Sequence, residues 1–273
     1  MRVLVLGSAG QIGHRLCKVL RDNGHNVVEF DIVNDPLEDL RLYGGPLCRE
    51  MSEVDFVMFL AFDVGGSTYL KEYEKTQEFM DNNVDIMRNT FEILRETKVP
   101  FIFASSQMSN MSWSTYGLLK AIGERYTSMN NGKVVKFWNV YDLETDPEKF
   151  HVITDFILSA RNEGIIQCRT DGTESRQFLH GEDASLALMK IMESFGEIPE
   201  DELHITSFEW NTIIDVINTI NDIYPCDVTL APWSDTVQHD AKNEPDKTIL
   251  KYWKPRISLV EGIRRVAREM DSE

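Results

Sequence analysis

The sequence predicts an α/β protein, a doubly wound parallel sheet joined to a smaller, mixed α/β C-terminal part. Three observations predict it. Over residues 2–141 short apolar runs alternate with segments of helical spacing, the pattern of βαβ units and a parallel sheet. A turn spaced by Gly7, Gly10 and Gly13 follows the first apolar run and opens the first helical segment. Near Tyr141 the regular alternation stops and a less ordered mixture begins.

Each element follows in order. "RVLVLG" (2–7) reads as a strand and "QIGHRLCKVLRDNG" (11–24) as a helix ending at Gly24. "NVVEFD" (26–31) is a second strand and "VDFVMFLAF" (54–62) a buried third. "FMDNNVDIMRNTFEILRETK" (79–98) is a long helix, followed by the strand "PFIFASS" (100–106). "TYGLLKAIGERYTSM" (115–129) is a helix and "KVVKFWNVY" (133–141) a strand. Beyond lie a helix at 152–164, a short strand at "IIQCR", a glycine turn in "TDGTESRQFLHGED", and helices near 183–195 and 211–223. A short helix, a loop and a terminal helix close the chain.

Bulk properties bound the function. At 273 residues the chain can bury a substantial core, and 42% hydrophobic with 27% charged residues is ordinary for a soluble globular protein. A net charge of −17 argues against nucleic acid or anionic membrane as a partner, because the average field repels phosphate. Cys17, Cys48, Cys168 and Cys226 are scattered without a CxxC, and His14, His25, His151, His204 and His239 show no metal-like spacing. No metal site is expected. No apolar run approaches the roughly 20 residues needed to span a bilayer, and "MRVLVLG" is too short for a signal peptide. A cytoplasmic protein with reduced thiols is expected.

The glycine turn points to a nucleotide. One glycine permits the tight turn, one lets a pyrophosphate approach the backbone, and one lets helix and strand pack closely. The helix N-terminus then offers free N–H groups to phosphate. Asp31 closes the second strand 18 residues past Gly13, where a carboxylate accepts hydrogen bonds from ribose hydroxyls and repels a 2′-phosphate. NAD is therefore favoured over NADP. Residues 1–141 are expected to form a Rossmann-type NAD-binding domain. Residues 142–273 are expected to be mostly substrate-binding, with some segments returning to the first domain.

Ser105 and Ser106 end a strand, and Tyr116 and Lys120 stand four apart in the following helix, on one face. With G-x-x-G-x-x-G, Asp31, "FLAF" and "NVY" in that order, the chain resembles the extended short-chain dehydrogenase/reductases, the nucleotide-sugar epimerases and dehydratases. "DGTESRQFLHGEDAS" (171–185) resembles that family's R-x-F-x-H-V-x-D segment, and "DKTILKYWKPRISLVEGIRR" (246–265) its closing segment. The resemblance implies an NAD-dependent enzyme acting on a nucleotide-activated sugar. Tyr116 would be the base, Lys120 its partner and holder of the nicotinamide ribose, and Ser106 a hydrogen-bonding partner of the same substrate hydroxyl. A phenol with a pKa near 10 needs adjacent positive charge to act near neutrality. Gln11, Ile12, Ala61 and Ser105 would join Gly7, Gly10, Gly13 and Asp31 at the cofactor. Arg176 would bind the diphosphate, since a guanidinium binds phosphate oxygens bidentately. Gln107 and Asn139 would contact substrate. His180 and Asp183 would be structural, a packing histidine and a helix cap. Relatives pair through two helices that here would be 79–98 and 115–129, so a homodimer is implied.

Two further stretches are similar to GDP-mannose 3,5-epimerases and heptose-modifying enzymes. "DLR" (39–41) would set Asp39 and Leu40 beside the adenine. "AFDVGGS" (61–67) would let backbone at Gly65 and Gly66 approach the nicotinamide or hexose, and "PEKF" (147–150) would bring Lys149 near the site. The chain also departs from its relatives. Met108 stands where the 3,5-epimerases have a cysteine, and Gln107 and Met108 stand where the 4,6-dehydratases have an Asp-Glu pair. "S-N-M" replaces "V-Y-G", and Asp142 replaces the glycine after "NVY". What this leaves is hydride transfer: oxidation at a sugar carbon, most simply C4, with or without re-reduction on the other face. Two other readings remain open, a non-catalytic NAD-binding sensor or scaffold and a reductase of a small non-nucleotide carbonyl.

Overall fold

The computed structural model describes residues 1–130, 132–144, 146–234 and 243–272, so His239 lies outside the described residues. In chain order the elements are β1 (Arg2–Leu6), α1 (Gln11–Asp22), β2 (Asn26–Phe30), α2 (Pro46–Ser52), β3 (Phe56–Phe59), α3 (Ser67–Tyr73) and α4 (Gln77–Thr97). There follow β4 (Phe101–Ser106), α5 (Thr115–Met129), β5 (Lys133–Phe137), β6 (Asn139–Tyr141), α6 (Val152–Glu163) and β7 (Ile165–Cys168). The chain continues through β8 (Ser175–Arg176), β9 (Phe178–His180), α7 (Gly181–Glu193), β10 (Glu202–Ile205), β11 (Asn211–Thr212), α8 (Ile213–Ile223), β12 (Asp227–Leu230) and α9 (Leu259–Ser272).

Six parallel strands in the order β10-β5-β4-β3-β1-β2 form the central sheet. The strand order reverses between β1 and β3, and the crevice at the carboxyl ends of those strands is where such sheets bind ligands. Both faces are covered. Val3, Val5, Met58 and Ile102 pack beneath α1 and α7, while Leu4, Leu6, Phe59 and Phe103 pack beneath α4 and α5. A third cluster, including Phe156, Ile217 and Ile263, knits α6, α8 and α9 together.

Three segments differ from the sequence reading. The run 133–141 is two strands, not one: β5 stays in the central sheet, and after Trp138 β6 leaves to pair with β9. The helix expected from 211 starts at Ile213, because Asn211 and Thr212 pair with β8 before Thr212 caps it. Residues 202–205, where no strand was expected, form β10 beside β5, and α7 packs on α1. The patterns of α2 and α3 are too short, at 7 residues each, for helical spacing to stand out in the sequence. Among the described residues no helix is long and apolar enough to cross a membrane, and no cluster of His, Cys, Asp or Glu could hold a metal.

Candidate active site

The glycine turn is built by close approach. Gly7 has φ +86°, and a Cβ there would lie 2.7 Å from the Ala61 nitrogen. A Cβ on Gly13 would lie 2.0 Å from the Gly7 carbonyl oxygen. Gly10 caps α1 without a side-chain acceptor, and the first turn of α1 carries no acid. Its amides and positive dipole end are thus offered to an anion. The Gln11 Nε2 beside them is buried and has no acceptor among the described residues, which suits a phosphate oxygen. Ile12 packs into the core behind the turn.

Asp31 ties the ribose end to this loop. Its Oδ2 accepts from the Ala9 N–H and its Oδ1 from the Val33 N–H, both at 3.0 Å, so each oxygen keeps a lone pair for a hydroxyl. Glu38 accepts from the Asp31 N–H at 2.7 Å, and burial raises its pKa. Two carboxyl groups at this end suit free ribose hydroxyls and oppose a 2′-phosphate. The orphaned donor at one end and these acids at the other fit NAD.

In the neighbouring "DLR" stretch, Leu40 is 6% exposed and its side chain belongs to the core under α4, with its carbonyl held by Asn89. Asp39 is engaged with Arg41, which holds its carboxyl below the usual range.

Tyr116, Lys120 and Ser106 come together. The Ser106 hydroxyl lies close enough to the Tyr116 phenol to lower its pKa, and the Tyr116 ring meets Phe62 edge-on at 5.8 Å. The Lys120 ammonium donates to the Ala104 carbonyl at 2.7 Å and stands 3.7 Å from the centre of the Phe62 ring. Burial pushes Tyr116 up to about 12, opposed by the Ser106 hydroxyl, and pulls Lys120 down to about 7, opposed by Glu124. Local structure fixes the pair. Ser114 caps α5 by accepting from the Gly117 N–H, and its own hydroxyl donates to Glu74 at the end of α3. Gly117 is small because Met108 passes over it: a Cβ would lie 2.2 Å from the Met108 carbonyl oxygen.

The other expected residues divide. Gln107 is buried beside Ser106, and its carbonyl accepts from the Asn243 side chain. Asn139 opens β6 with a buried Oδ1 that lacks a donor among the described residues. Arg176, on β8, donates to the Ser175 carbonyl at 2.8 Å. Lys149 lies 3.3 Å from Asp63, the residue after Phe62. At Gly65 and Gly66 Cβ atoms would lie 2.9 Å from the Tyr69 side chain and 2.1 Å from the Phe150 carbonyl oxygen, so protein packing by itself requires glycine at both positions. The Ser105 hydroxyl donates to Glu124 at 2.5 Å. His180 caps α7, and Asp183 accepts from the Arg256 and Ile257 N–H groups.

The profile of the NAD dependent epimerase/dehydratase family matches residues 3–205, most of the chain. The chain belongs to that family. In sequence the chain is 25% identical to an uncharacterized UDP-glucose epimerase, YtcB, of Bacillus subtilis (strain 168), over 96% of each chain. It is 22% identical to UDP-glucuronic acid decarboxylase 6 of Arabidopsis thaliana, over 96% of this chain and 87% of that one. In fold it is similar to an epimerase of Methanothermobacter thermautotrophicus, with a TM-score of 0.84 at 21% identity over 99% of this chain and 92% of the other. The UDP-glucose 4-epimerase of Thermus thermophilus, solved with NAD, gives a TM-score of 0.80 at 20% identity over 99% of each. NAD is the cofactor of the family, and the glycine turn and acids described above are where this epimerase/dehydratase would hold it.

Two arrangements in this member were not visible as sites in the sequence. Glu124, one turn beyond Lys120, joins Ser105 to Lys136. Asp142, noted only as a departure, forms a two-point ion pair with Arg15 of α1 at 2.6 and 2.8 Å. The signals were a lysine inside an apolar strand and an acid where relatives have glycine. Neither reveals its partner until the chain is folded.

Proposed function

We propose that the protein oxidises a ring carbon of a nucleotide-activated sugar, most simply C4, with Tyr116 as base. The observation that carries this reading is the joined set Ser106, Tyr116 and Lys120 at the carboxyl end of β4, beside an NAD-type glycine turn. A phenol at about 12 is no base near neutrality, so positive charge must stabilise its phenolate. Bound NAD supplies a hydride acceptor and a cationic ring. Lys120 supplies a second positive charge, held in place by the Ala104 carbonyl and the Phe62 ring. Ser106 orients the substrate hydroxyl, and Tyr116 takes its proton as the carbon–hydrogen bond breaks. Returning hydride and proton to the other face gives an epimer. Arg176 and the orphaned Asn139 acceptor would hold the nucleotide diphosphate and a sugar hydroxyl.

Nothing in the turn after Ser106 adds an acid. Gln107 to Asn110 carry no carboxyl group, so this turn supplies no acid–base pair for eliminating water. A purified sample screened with UDP-, GDP-, dTDP- and CDP-sugars for a nicotinamide absorbance change tests the reading. Tyr116→Phe should lower turnover at least a hundredfold, about the low end for losing an acid–base group, while NAD binding persists. Unchanged turnover in that variant would sink it.

We also propose a homodimer through α4 and α5. Leu118, Ile122, Tyr126 and Met129 expose an apolar stripe on α5, with Met80 and Val84 exposed on α4. Tyr126 stacks on Phe91 at 5.1 Å, so the two helices present one surface.

A further inference from the structure

One row of the central sheet beneath α5 is polar across three strands. Ser105, Lys136 and His204 are adjacent across β4, β5 and β10 in strict register. Two acids bind the row together. Glu124, on the same face of α5 as Tyr116 and Lys120, accepts from Ser105 at 2.5 Å and lies 3.4 Å from Lys136. Lys136, whose side chain is 6% exposed, lies 3.0 Å from Glu202, which reaches solvent and pairs with His204 at 3.3 Å. The Asp246 N–H donates to His204 Nδ1, which leaves Nε2 to donate to Glu202. Enclosing Glu124, Lys136 and His204 is costly unless each is paired, and here each is, with the half-exposed Glu202 closing the row.

We propose that Glu124 and Lys136 are positioning residues that set the charge on Lys120: Glu124 favours its protonated form, and Lys136 limits that effect by sharing the Glu124 carboxylate. The proposal rests on the reading that a charged Lys120 serves Tyr116. The geometry gives it a direction. The Lys120 ammonium stands over the Tyr116 ring at 5.7 Å and donates to the Ala104 carbonyl on β4, while Glu124, one turn on along the same helix face, is held on that strand by the next residue, Ser105. The Phe62 ring covers it from the loop after β3, where the adjacent Asp63 is engaged by Tyr69, Asn82 and Lys149. From β5 and β10 the facing charges are Lys136 and, behind it, Glu202 and His204. Glu124 is thus the acid that acts on Lys120, consistent with its opposing the effect of burial there. Lys136 draws on that acid from the far side, and Glu202 in turn draws on Lys136.

The two residues therefore predict opposite effects, which a merely structural role would not. Lysine labelled with carbon-13 at Cε reports ionisation by NMR, and Lys120→Met identifies the resonance. Glu124→Gln should lower the Lys120 midpoint by about one pH unit, and Lys136→Met should raise it. With a wild-type midpoint near 7, the first variant leaves about a tenth of Lys120 charged at pH 7 instead of about half. Turnover at pH 7 should then fall about fivefold with KM for the sugar nucleotide unchanged, and the alkaline loss of activity should move to lower pH. Midpoints that stay put, or that move the same way in both variants, overturn the proposal. Midpoints that move as stated in a protein that turns over no nucleotide sugar uphold the charge coupling and overturn the functional reading instead.

Discussion

Replacing Asp142 by Asn removes the charge that faces Arg15 inside the protein. Arg15 projects from α1, one turn after the glycine loop, and its side chain is 10% exposed. It donates to both Asp142 oxygens, at 2.6 and 2.8 Å, and to Glu269 of α9 at 2.5 Å, which raises its already high pKa further. One residue thereby joins the cofactor helix, the start of the C-terminal part and the terminal helix. Asp142→Asn leaves the guanidinium with Glu269, which is 40% exposed and compensates only in part. Breaking a buried pair on one side costs about 3–5 kcal/mol, and the surviving Glu269 contact sets the expectation at the lower end, about 3 kcal/mol. For a chain of this size that is roughly 6–12 °C in Tm. Arg15→Met in the same background removes the stranded charge, so the double variant should be less destabilised than the two singles added, by about 1–3 kcal/mol. Urea unfolding of the four proteins, with m-values compared, measures the cycle. A loss of less than about 0.5 kcal/mol for Asp142→Asn, or strict additivity, would refute the argument.

Lys120 gives a pH dependence with a definite sign. The unfolded chain keeps this proton up to about 10.5, whereas the folded protein without cofactor releases it at about 7. Between those values the unfolded state holds one more proton, so this group makes stability rise with pH, by up to about 1.4 kcal/mol per unit. Lys120→Met should lose that slope, and identical urea midpoints across pH 7–10 in both proteins would contradict it. Ile122→Glu places a charge in the exposed apolar stripe of α5 and should give a monomer by sedimentation with the fold intact by circular dichroism. A wild-type protein that is monomeric at micromolar concentration would dispose of the proposed interface.

Much of the site was legible because it is carried by local physics. The turn at Gly7 needs a positive φ, Gly13 needs close packing, and Tyr116 and Lys120 share a face because helical residues four apart do. The helix 115–129 begins and ends where its pattern begins and ends, with Ser114 as its cap. Where spacing was silent, the decisive atoms came from afar. That Gly65 and Gly66 must be glycines for packing is set by Tyr69 and the Lys149–Phe150 backbone. That the Leu40 side chain is in the core is set by the packing beneath α4, with Asn89 holding its carbonyl.

The sequence by itself determined the parallel α/β sheet, the NAD-type turn with its acid, and the order serine, tyrosine, lysine, because periodicity and short spacings act within one or two turns of chain. Tertiary structure alone decided that β10 returns to the sheet, that Arg15 finds Asp142 across 127 residues, and that Ser105 joins Glu124, Lys136 and Glu202 in a buried charged row. Those pairings depend on which buried charges can be neutralised once the elements are stacked, and a charge in a low-dielectric interior takes whichever partner the packing brings within a few ångströms.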